Sequence, residues 1–423
     1  MEKRRTYYCI DMKCFYASVE CAERGLDPFE TALVVADPER GKNALCLAIS
    51  PKMKSLGVKN RCRLSEIPRS VKYIVAKPRM RKYIEYAARI YGMYLRYIDA
   101  ADIHVYSIDE AFLDVTDYLR VYAMDSLSFA KMLLREISRE VHVPATAGIG
   151  TNLFLAKIAL DITAKHSVDH IGFLDERTFK ETLWDHTPIT DFWQISTGTA
   201  RRLARYGLYT MRQVAAAPTE LLYKTFGVNA ELLIDHANGE ESCTMADIKA
   251  YKGKSKSVSS SQILPRDYTF DEARLVMLEM AAEGCARMLK HHLVTAHVGI
   301  YVGYSFGTIP ATGGRVRMSE TTAVFSVVRE YVEALFEAYA VRDVPIRRLG
   351  ISFGDVMDEG HEGYDLFTDV DRTEKEKRLE RAVLEIKDRM GKNAVLRAMD
   401  LQKGATTPER NRMIGGHNAG DEE

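Results

Sequence analysis

Two adjacent carboxylates lie in the middle of an apolar segment, SIDEAFLDVT, at residues 107–116. The apolar residues around Asp109 and Glu110 predict a buried strand. Burying two carboxylates without a compensating charge costs several kcal/mol of folding free energy. A third acid, Asp11, ends the apolar segment YYCID immediately before a helical pattern. We therefore expect positive charge to lie close to these three acidic side chains.

Two neighbouring strands that present carboxylates at one end form a binding site for divalent cations. Mg²⁺ prefers oxygen ligands and combines a few carboxylates with waters and substrate phosphates. Two such ions can activate an attacking oxygen and stabilise the leaving oxygen of an in-line phosphoryl displacement. The cations would also offset the cost of burying the carboxylates. Periodicity alone fits an exposed hairpin with acidic residues about equally well.

Strands and helices that could position these acids follow from the hydrophobic pattern of the first half. The pattern changes from strand to helix within residues 7–23, and a further helix is predicted at 81–97. A helix with one apolar face begins near Asp125. The segment ATAGIGTNLFLAKIALDITAKH predicts a strand, a glycine turn and a helix capped by Thr151 or Asn152.

The second half contains a self-contained pattern of strands and helices. Short helices, broken by proline and glycine, are predicted over 178–246, and the linker YKGKSKSVSSSQ follows. A β-α-β-β-α-β order is then predicted, with strands at 255–264, 293–304, 314–325 and 346–354 and helices at 271–291 and 326–339.

A single amphipathic helix is predicted in the C-terminal tail. Thr373 is its expected N-cap, and Gly391 is its expected stop. The residues expected on its apolar face are Leu379, Val383, Ile386 and Met390.

Composition restricts the class of protein. The 423 residues are 46% hydrophobic and 28% charged with a formal net charge of zero, as in ordinary globular proteins of two to four domains. The seven cysteines include no C-x-x-C pair, which favours reduced thiols over zinc ligands. No apolar run approaches a membrane span or a signal peptide, so we expect a cytoplasmic protein. Basic clusters at 79–89, 201–207 and 252–261 make a local nucleic-acid surface plausible despite the zero net charge.

Three segments together resemble a known family. YCIDMKCFYASVE and YSIDEAFLDVT resemble the two catalytic motifs of the Y-family, translesion DNA polymerases, in their usual order. GIGTNLFLAKIALDITAK is similar to the third signature of that family. The tail segment NAVLRAMDLQKGATTPERNRMIGGH is similar to the UmuC-like, UvrX-type branch of Gram-positive bacteria.

The resemblance implies an α+β multidomain protein with the right-hand polymerase fold. The implied parts are a palm of mixed sheet and helices at 1–14 and 84–177, small fingers at 15–83, a helical helix-hairpin-helix thumb at 178–246, a linker at 247–254, a β-α-β-β-α-β little finger at 255–357, and a tail with one helix at 358–423.

The same resemblance assigns catalytic roles. Asp11, Asp109 and Glu110 would hold two Mg²⁺ ions, with Mn²⁺ as an alternative, and the backbone carbonyl of Met12 would be a further ligand. Tyr16 corresponds to the steric gate, whose ring would clash with the 2′-hydroxyl of a ribonucleotide. On spacing alone, Tyr16 could also be a core aromatic residue of the helix.

Contacts to the triphosphate are implied at four positions. Phe15 and Ser50 would contribute near the fingers, and Lys54 stands where many relatives carry arginine. Lys165 is the implied palm lysine, although its spacing leaves Lys157 as an open alternative.

DNA and sliding-clamp contacts are implied outside the palm. ISTGTARRLARYG resembles a helix-hairpin-helix, in which Ser196 replaces a usual glycine. The implied DNA-binding residues are Arg201, Arg202, Lys252, Lys254 and Lys256. Leu366 and Phe367 stand where relatives carry a short clamp-binding motif, with Gly363 in place of the expected glutamine.

The implied function is template-directed, low-fidelity DNA synthesis in DNA damage tolerance. The implied partners are primer–template DNA, deoxynucleoside triphosphates and the bacterial sliding clamp, for a monomer without membrane association. One alternative is a catalytically silent accessory protein that binds DNA and the clamp. A second is a palm-type nucleotidyl cyclase, which would need neither the thumb-like nor the little-finger-like segment.

Overall fold

The computed structural model describes residues 5–253, 257–364, 366 and 368–420. The chain divides into two compact units, and the division falls between Lys252 and Gly253. Among the described residues, every helix is too short or too polar to cross a membrane.

The first unit combines short strands with helices of one to four turns. In chain order its elements are β1 Tyr7–Met12, α1 Phe15–Ala22, β2 Leu33–Val35, β3 Ala48–Ile49, α2 Pro51–Ser55, β4 Ile74–Ala76, α3 Met80–Tyr94, β5 Ile103–Val105, β6 Glu110–Asp114, α4 Tyr118–Val121, α5 Ser126–Val141, β7 Ala145–Gly150, α6 Leu153–Ile158, β8 Ile171–Leu174, α7 Glu176–Thr182, α8 Thr197–Ala204, α9 Met211–Ala215, α10 Thr219–Phe226, α11 Asn229–Asn238 and α12 Met245–Ala250.

A five-stranded sheet in the order β5-β6-β1-β7-β8 forms the centre of this unit. β1 pairs antiparallel with both β6 and β7, and its central position explains why Tyr7, Tyr8 and Cys9 are buried on both faces. α5 packs on β7 through an apolar stripe, as its helical spacing predicts. Asp125 caps α5, so the predicted start of that helix is confirmed.

Two glycines of β7 allow α6 to pack directly against the sheet. A Cβ atom added at Gly148 would lie 2.1 Å from the carbonyl oxygen of Ala156, and one at Gly150 would lie 2.1 Å from the amide nitrogen of the same residue. Asn152 caps α6 by accepting a hydrogen bond from the amide of Leu155 at 2.8 Å, which decides between the two predicted caps. The glycines therefore serve packing between strand and helix.

Two further groups of elements complete the unit. A small sheet in the order β3-β2-β4 encloses its own apolar cluster with α2. The helices α7 to α11 pack around Phe179, Phe192 and Leu203, in agreement with the predicted series of short helices.

The second unit contains a sheet covered by two long helices, followed by a tail with a third long helix. Its elements are β9 Ser257–Tyr268, α13 Phe270–Lys290, β10 Leu293–Tyr304, β11 Thr312–Thr322, α14 Phe325–Tyr339, β12 Ile346–Gly354, β13 Met357–Asp358, α15 Val370–Met390, α16 Thr407–Arg410, β14 Met413–Ile414 and β15 His417–Asn418. The sheet order is β11-β10-β12-β9, all antiparallel, with α13 and α14 on one face. The predicted β-α-β-β-α-β order and the α+β class are confirmed.

The tail helix differs from its prediction at two points. Asp369, not Thr373, caps α15, whereas Thr373 is buried and donates its hydroxyl to the Asp369 carbonyl at 2.9 Å. The predicted stop at Gly391 is correct. The predicted apolar contact face is wrong, because Leu379 and Met390 are 62% and 75% exposed. The helix instead buries the charged side chain of Lys377, which pairs with Glu359 and Glu362.

A buried glutamate attaches the rest of the tail. Glu279 of α13 accepts hydrogen bonds from the amides of Thr406 and Thr407 at 2.8 and 3.0 Å. The Thr406 hydroxyl donates to the same carboxylate at 3.0 Å, and Gln262 of β9 donates to that hydroxyl at 3.0 Å. The tail is therefore joined to the helix and the sheet of the second unit by specific polar contacts.

Candidate active site

Three carboxylates meet at one end of the central sheet. Asp11 of β1 lies directly opposite Glu110 of β6 in the strand register. Asp109 immediately precedes β6, and its carbonyl accepts a hydrogen bond from the amide of Met12 at 2.9 Å. The antiparallel pairing of β1 with β6 therefore brings together the acids that are 98 and 99 positions apart in sequence (109 − 11 and 110 − 11).

A buried lysine compensates this acidic cluster from within the protein. The Nζ atom of Lys157, on α6, lies 2.9 Å from Oε1 of Glu110 and 3.0 Å from Oδ2 of Asp161. The thiol of Cys9 donates to Oε1 of Glu110 at 3.0 Å. Burial lowers the pKa of Lys157, but Cys9, Asp161 and Glu110 outweigh that effect, so the pKa is raised overall. Lys157 is the nearby positive charge that the sequence predicts for these partly buried acids.

The third acid is poised between its two protonation states at neutral pH. Burial, followed by repulsion from Asp109 and Glu110, raises the pKa of Asp11 to about 7. A divalent cation would relieve that repulsion, and carboxylate oxygens are the donors that Mg²⁺ prefers. Among the described residues, no three His, Cys, Asp or Glu side chains already point to one shared centre. Glu110 is directed to Lys157, and Asp109 accepts the hydroxyl of Ser107 at 2.6 Å.

An aromatic pair lies beside the carboxylates. The ring of Tyr16, on α1, stacks on Tyr83 of α3, with centroids 4.3 Å apart and an interplanar angle of 13°. Tyr83 is fully buried and donates its hydroxyl to Glu20 at 2.8 Å, and Arg79 donates to the same carboxylate at 2.9 and 3.0 Å. Burial and then the charge of Asp109 raise the pKa of the half-buried Tyr16. The network holds the Tyr16 ring in one orientation next to the acidic cluster.

Backbone amides at the start of α1 have no side-chain cap. Cys14 occupies the cap position with φ 53°, a left-handed conformation, and makes no capping hydrogen bond through its side chain. The Phe15 side chain itself is buried. The first turn of α1 thus presents main-chain donors close to Asp11.

Two of the residues expected to contact a triphosphate, Ser50 and Lys54, differ in exposure. Ser50 is fully buried, and its hydroxyl caps α2 by accepting from the Met53 amide at 3.3 Å while it donates to the Thr31 carbonyl at 2.7 Å. Lys54, on the same helix, is exposed. The hydroxyl of Ser50 is therefore committed to holding the helix that carries Lys54.

A second lysine near Lys54 was not singled out from the sequence. Burial lowers the pKa of Lys13, the charge of Cys14 opposes this, and the charge of Lys54 lowers the pKa further. Lys13 follows Met12 directly, and its charge interacts with that of Lys54. The signal in the sequence was a lysine within the segment YCIDMKCFYASVE.

Lys165 and Asp161 line the same small pocket. Lys165 is exposed, and His186 and Asp191 also line the pocket. His186 Nε2 lies 2.9 Å from Oδ2 of Asp191. Asp161 is thus shared between this pocket and Lys157.

The helix-hairpin-helix segment has an unusual turn. Gln194 adopts φ 68°, and Ser196 caps α8 by accepting a hydrogen bond from the Thr199 amide at 3.2 Å. Arg201 and Arg202 are both exposed, but the Arg202 guanidinium lies 4.5 Å from the centre of the Phe226 ring. Because the Arg202 guanidinium is held against this ring, Arg201 is the arginine more available to contact a phosphate.

The sheet face of the second unit opposite its helices was missed from the sequence. A shallow groove crosses this face. The residues that line the groove include Ser259, Ser261, Gly299, Tyr301, Arg315, Arg348, Gly350 and Ser352. A Cβ atom added at Gly299 would lie 2.9 Å from the Ser352 hydroxyl, so the glycine keeps the groove open. The alternation in GGRVRMS, with arginines at every second position, is the sequence signal for this basic face.

The linker and clamp-motif residues are described only in part. Lys252 is exposed, whereas Lys254, Lys256 and Phe367 lie outside the described residues. Leu366 is 99% exposed.

The chain before Leu366 is held on both sides. Gly363 pairs with Thr321 of β11 through amide–carbonyl hydrogen bonds of 2.8 and 3.0 Å. Glu362 pairs with the buried Lys377 of α15, whose Nζ also lies 3.0 Å from Glu374 and 3.2 Å from Glu359.

Comparison with known proteins gives consistent matches over most of the chain. The impB/mucB/samB family model matches residues 10–161, and the model of the impB/mucB/samB family C-terminal domain matches residues 255–366. The chain is 31% identical to the putative UV-damage repair protein UvrX of Bacillus subtilis over 421 residues, covering 98% of both chains. It is 32% identical to DNA polymerase IV 2 of the same organism, covering 99% of this chain and 100% of the relative.

A solved structure supports the fold. The chain is similar to the "Y-family DNA polymerase chimera Dbh-Dpo4(243-245)-Dbh" with a TM-score of 0.64 at 20% sequence identity, covering 84% of this chain and 99% of the other.

Proposed function

The chain belongs to the impB/mucB/samB family, the UmuC-like branch of the Y-family DNA polymerases, and we propose that it extends a primer by template-directed addition of deoxynucleotides at the carboxylates of its first unit. It is a DNA-directed DNA polymerase of the translesion type. The observation that carries the proposed site is the register that sets Asp11 opposite Glu110, with Asp109 beside them. The alternative of a catalytically silent accessory protein is not supported, since relatives named DNA polymerase IV match almost the whole chain.

Enzymes of this family use divalent metal ions, and the residues present fit that use. We assign Asp11, Asp109, Glu110 and the carbonyl of Met12 as ligands for two Mg²⁺ ions, with Mn²⁺ as an alternative. When bound, the ions would activate the primer hydroxyl and stabilise the leaving phosphate oxygens. The chain itself holds three carboxylates at adjacent strand ends, and Lys157 orients the carboxylate of Glu110 while limiting repulsion within the cluster.

Substrate selection is assigned to groups around these acids. Tyr16 would lie under the sugar and exclude a 2′-hydroxyl, because its ring is fixed by stacking on Tyr83. Lys13 and Lys54 would attract the triphosphate by their charge. Lys165 would be the palm lysine that contacts it, since Lys157 is already paired with two carboxylates.

DNA contact is assigned mainly to the groove on the open sheet face of the second unit. Arg315 and Arg348 supply positive charge, and the serines and glycines let a phosphate backbone approach the sheet closely. Arg201 of the thumb-like helices and Lys252 would add further phosphate contacts. Such contacts position DNA without reading its sequence, which suits a polymerase that copies many templates.

The parts of the right hand follow from these assignments. The five-stranded sheet with its helices would be the palm, the β3-β2-β4 sheet the fingers, helices α7 to α12 the thumb, and the β9 to β12 unit the little finger. A nucleotidyl cyclase would need neither of the last two parts.

The exposed Leu366 supports a contact with the bacterial sliding clamp, because a fully exposed leucine next to an anchored backbone can enter an apolar pocket. We place the protein in the cytoplasm as a monomer that meets the clamp at the replication fork. A pulldown with purified clamp tests the contact. A Leu366→Ala/Phe367→Ala protein that binds as much clamp as the parent would remove the assignment.

Primer extension with purified protein and Mg²⁺ tests the function, on undamaged and lesion-bearing templates. The parent should add nucleotides, Asp109→Ala should add none while it still binds the primer–template, and Asp117→Ala, an exposed acid after β6, should match the parent. Synthesis by Asp109→Ala would overturn the assigned site.

A further inference from the structure

Two cysteines of the small β3-β2-β4 region face each other across paired backbone segments. The amide of Cys46 donates to the carbonyl of Cys62 at 2.8 Å, and the amide of Leu64 donates to the carbonyl of Ala44 at 3.0 Å. These two bonds flank the antiparallel bridge between Leu45 and Arg63. Cys46 follows Leu45 and Cys62 precedes Arg63, so the two cysteines are directly opposite each other. Residues in such hydrogen-bonded positions have Cα atoms about 5.5 Å apart, within the range of about 4.4–6.8 Å that a disulfide requires.

The two side chains also belong to one apolar cluster. Both are buried, and the cluster includes Val58 and Ile67. Burial and the neighbouring Cys62 raise the pKa of Cys46 to about 12, so this thiol is protonated and slow to react at neutral pH. Ordinary exposure to air should therefore leave the pair reduced.

We propose that Cys46 and Cys62 are a redox modification site, which a peroxide converts into a disulfide and a thiol reductant restores. Cys62 is the more exposed of the two residues, at 6% against 0% for Cys46, so its thiol attacks the peroxide, forms a sulfenic acid and releases water. The second thiol then displaces the hydroxyl of the sulfenic acid, the S–S bond forms, and a second water leaves. The peroxide is reduced, the two thiols are oxidised, and both protons leave in the two waters.

Geometry favours a reversible bond over a permanent one. Directly opposite residues in a ladder have Cβ atoms about 4.5–5.5 Å apart, longer than the roughly 3.8 Å typical of a disulfide. The bond would therefore be strained, and strained disulfides are the labile ones. Peroxide also damages DNA bases, so the oxidant that would close this pair creates templates on which a translesion polymerase acts.

The proposed bond would tie the two ends of the segment that carries Lys54. Residues 46–62 contain β3, α2 and Lys54, and the cysteines are at their boundaries. Oxidation would fix the base of this segment without changing any residue of the assigned metal site.

Peptide mapping of the full-length protein before and after hydrogen peroxide tests the proposal. Trypsin cuts after Lys54 and Arg61, between the two cysteines, so they are recovered on separate peptides unless a disulfide joins them. We expect a linked pair of peptides, the loss of two of the seven free thiols, and full recovery with dithiothreitol. A chain nicked between the cysteines should stay as one band on a non-reducing gel and separate after reduction.

Matched variants assign the thiols. Cys46→Ala and Cys62→Ala should each abolish the linked peptides, whereas Cys285→Ala, which removes another buried cysteine, should leave them unchanged. Sulfinic acid at either cysteine without linked peptides would overturn the proposal, and so would equal thiol loss in Cys46→Ala and the parent. If either alanine variant fails to fold, the peptide map of the parent still decides the question.

Discussion

Replacing Lys157 by methionine should destabilise the first unit more than any other single change at the acidic cluster. The substitution keeps the length of the side chain but leaves Glu110 and Asp161 without their shared cation. Removing one partner of a buried ion pair typically costs about 3–5 kcal/mol. Lys157 and Glu110 are buried but Asp161 is one-third exposed, so we expect a loss of about 3 kcal/mol at pH 8.

The loss should depend on pH in a defined direction. Asp11 has a pKa of about 7 in the folded protein against an ordinary value of 3.8. Protonation of Asp11 therefore stabilises the folded state. This stabilisation is complete below pH 3.8 and is lost as the pH rises through 7. Lys157 lowers the pKa of Asp11, so removing the lysine raises that pKa further. Protonation of the acids can then replace the missing cation at pH 5, and the Lys157→Met deficit should be smaller there than at pH 8.

Tryptophan fluorescence during urea unfolding reports on the first unit, which contains Lys157. Both tryptophans of the chain, Trp184 and Trp193, lie in the first unit. The indole of Trp193 donates to the hydroxyl of Tyr106 at 3.0 Å, and the Tyr106 ring lies 6.0 Å from Lys157 Nζ. The midpoint of the fluorescence transition therefore measures the region around the lysine.

Two controls separate the ion pair from simple packing. Lys157→Arg keeps the charge and should recover most of the stability, and Lys157→Met/Glu110→Gln should be more stable than Lys157→Met alone because it removes an unpaired buried charge. A loss below about 1 kcal/mol at pH 8, or an equal loss at pH 5 and pH 8, would refute the reasoning.

The remaining predictions concern the metal, the sugar, the template and the tail. Mg²⁺ affinity should fall about tenfold from pH 8 to pH 6, because a group with pKa 7 loses its charge over that range; calorimetry should show no such fall in Asp11→Asn, and a flat profile in the parent would contradict the ligand assignment. Tyr16→Ala should incorporate ribonucleotides in primer extension, and continued exclusion would remove the gate role. Arg348→Ala should weaken DNA binding equally for all sequences and reduce the salt slope by about 1, measured by fluorescence anisotropy; an unchanged slope would place the template elsewhere. Glu279→Ala should destabilise the tail by about 2 kcal/mol, seen as faster hydrogen exchange at the Thr406 amide, and unaltered exchange would contradict the anchor.

Features that depend on a local sequence pattern or on an unusual pair of residues could be predicted from the sequence. The adjacent acids Asp109 and Glu110 in an apolar segment indicated a candidate site, but the family resemblance was needed to favour it over an exposed hairpin. The β-α-β-β-α-β order follows from elements long enough to show their period. Residue identity alone also located the start of α5 and the end of α15.

Other features depend on contacts that no local pattern contains. The strands of the β3-β2-β4 sheet have two or three residues each, too few for an alternation to be visible. Lys157 reaches Glu110 only after α6 packs on the sheet. The α15 face was misjudged because periodicity identifies the apolar stripe, whereas the tail buries Lys377 among three glutamates instead.

The attachment of the tail determines where this protein can be shortened. The family C-terminal match ends at residue 366, and that boundary would be a natural place to truncate an expressed polymerase. A chain ending there would leave the buried carboxylate of Glu279 without its hydrogen-bond donors from the tail and would uncover the apolar surface that Leu384 and Met399 contact. Such a fragment should misfold or aggregate, so clamp and DNA contacts are better dissected by point substitution in the full-length chain.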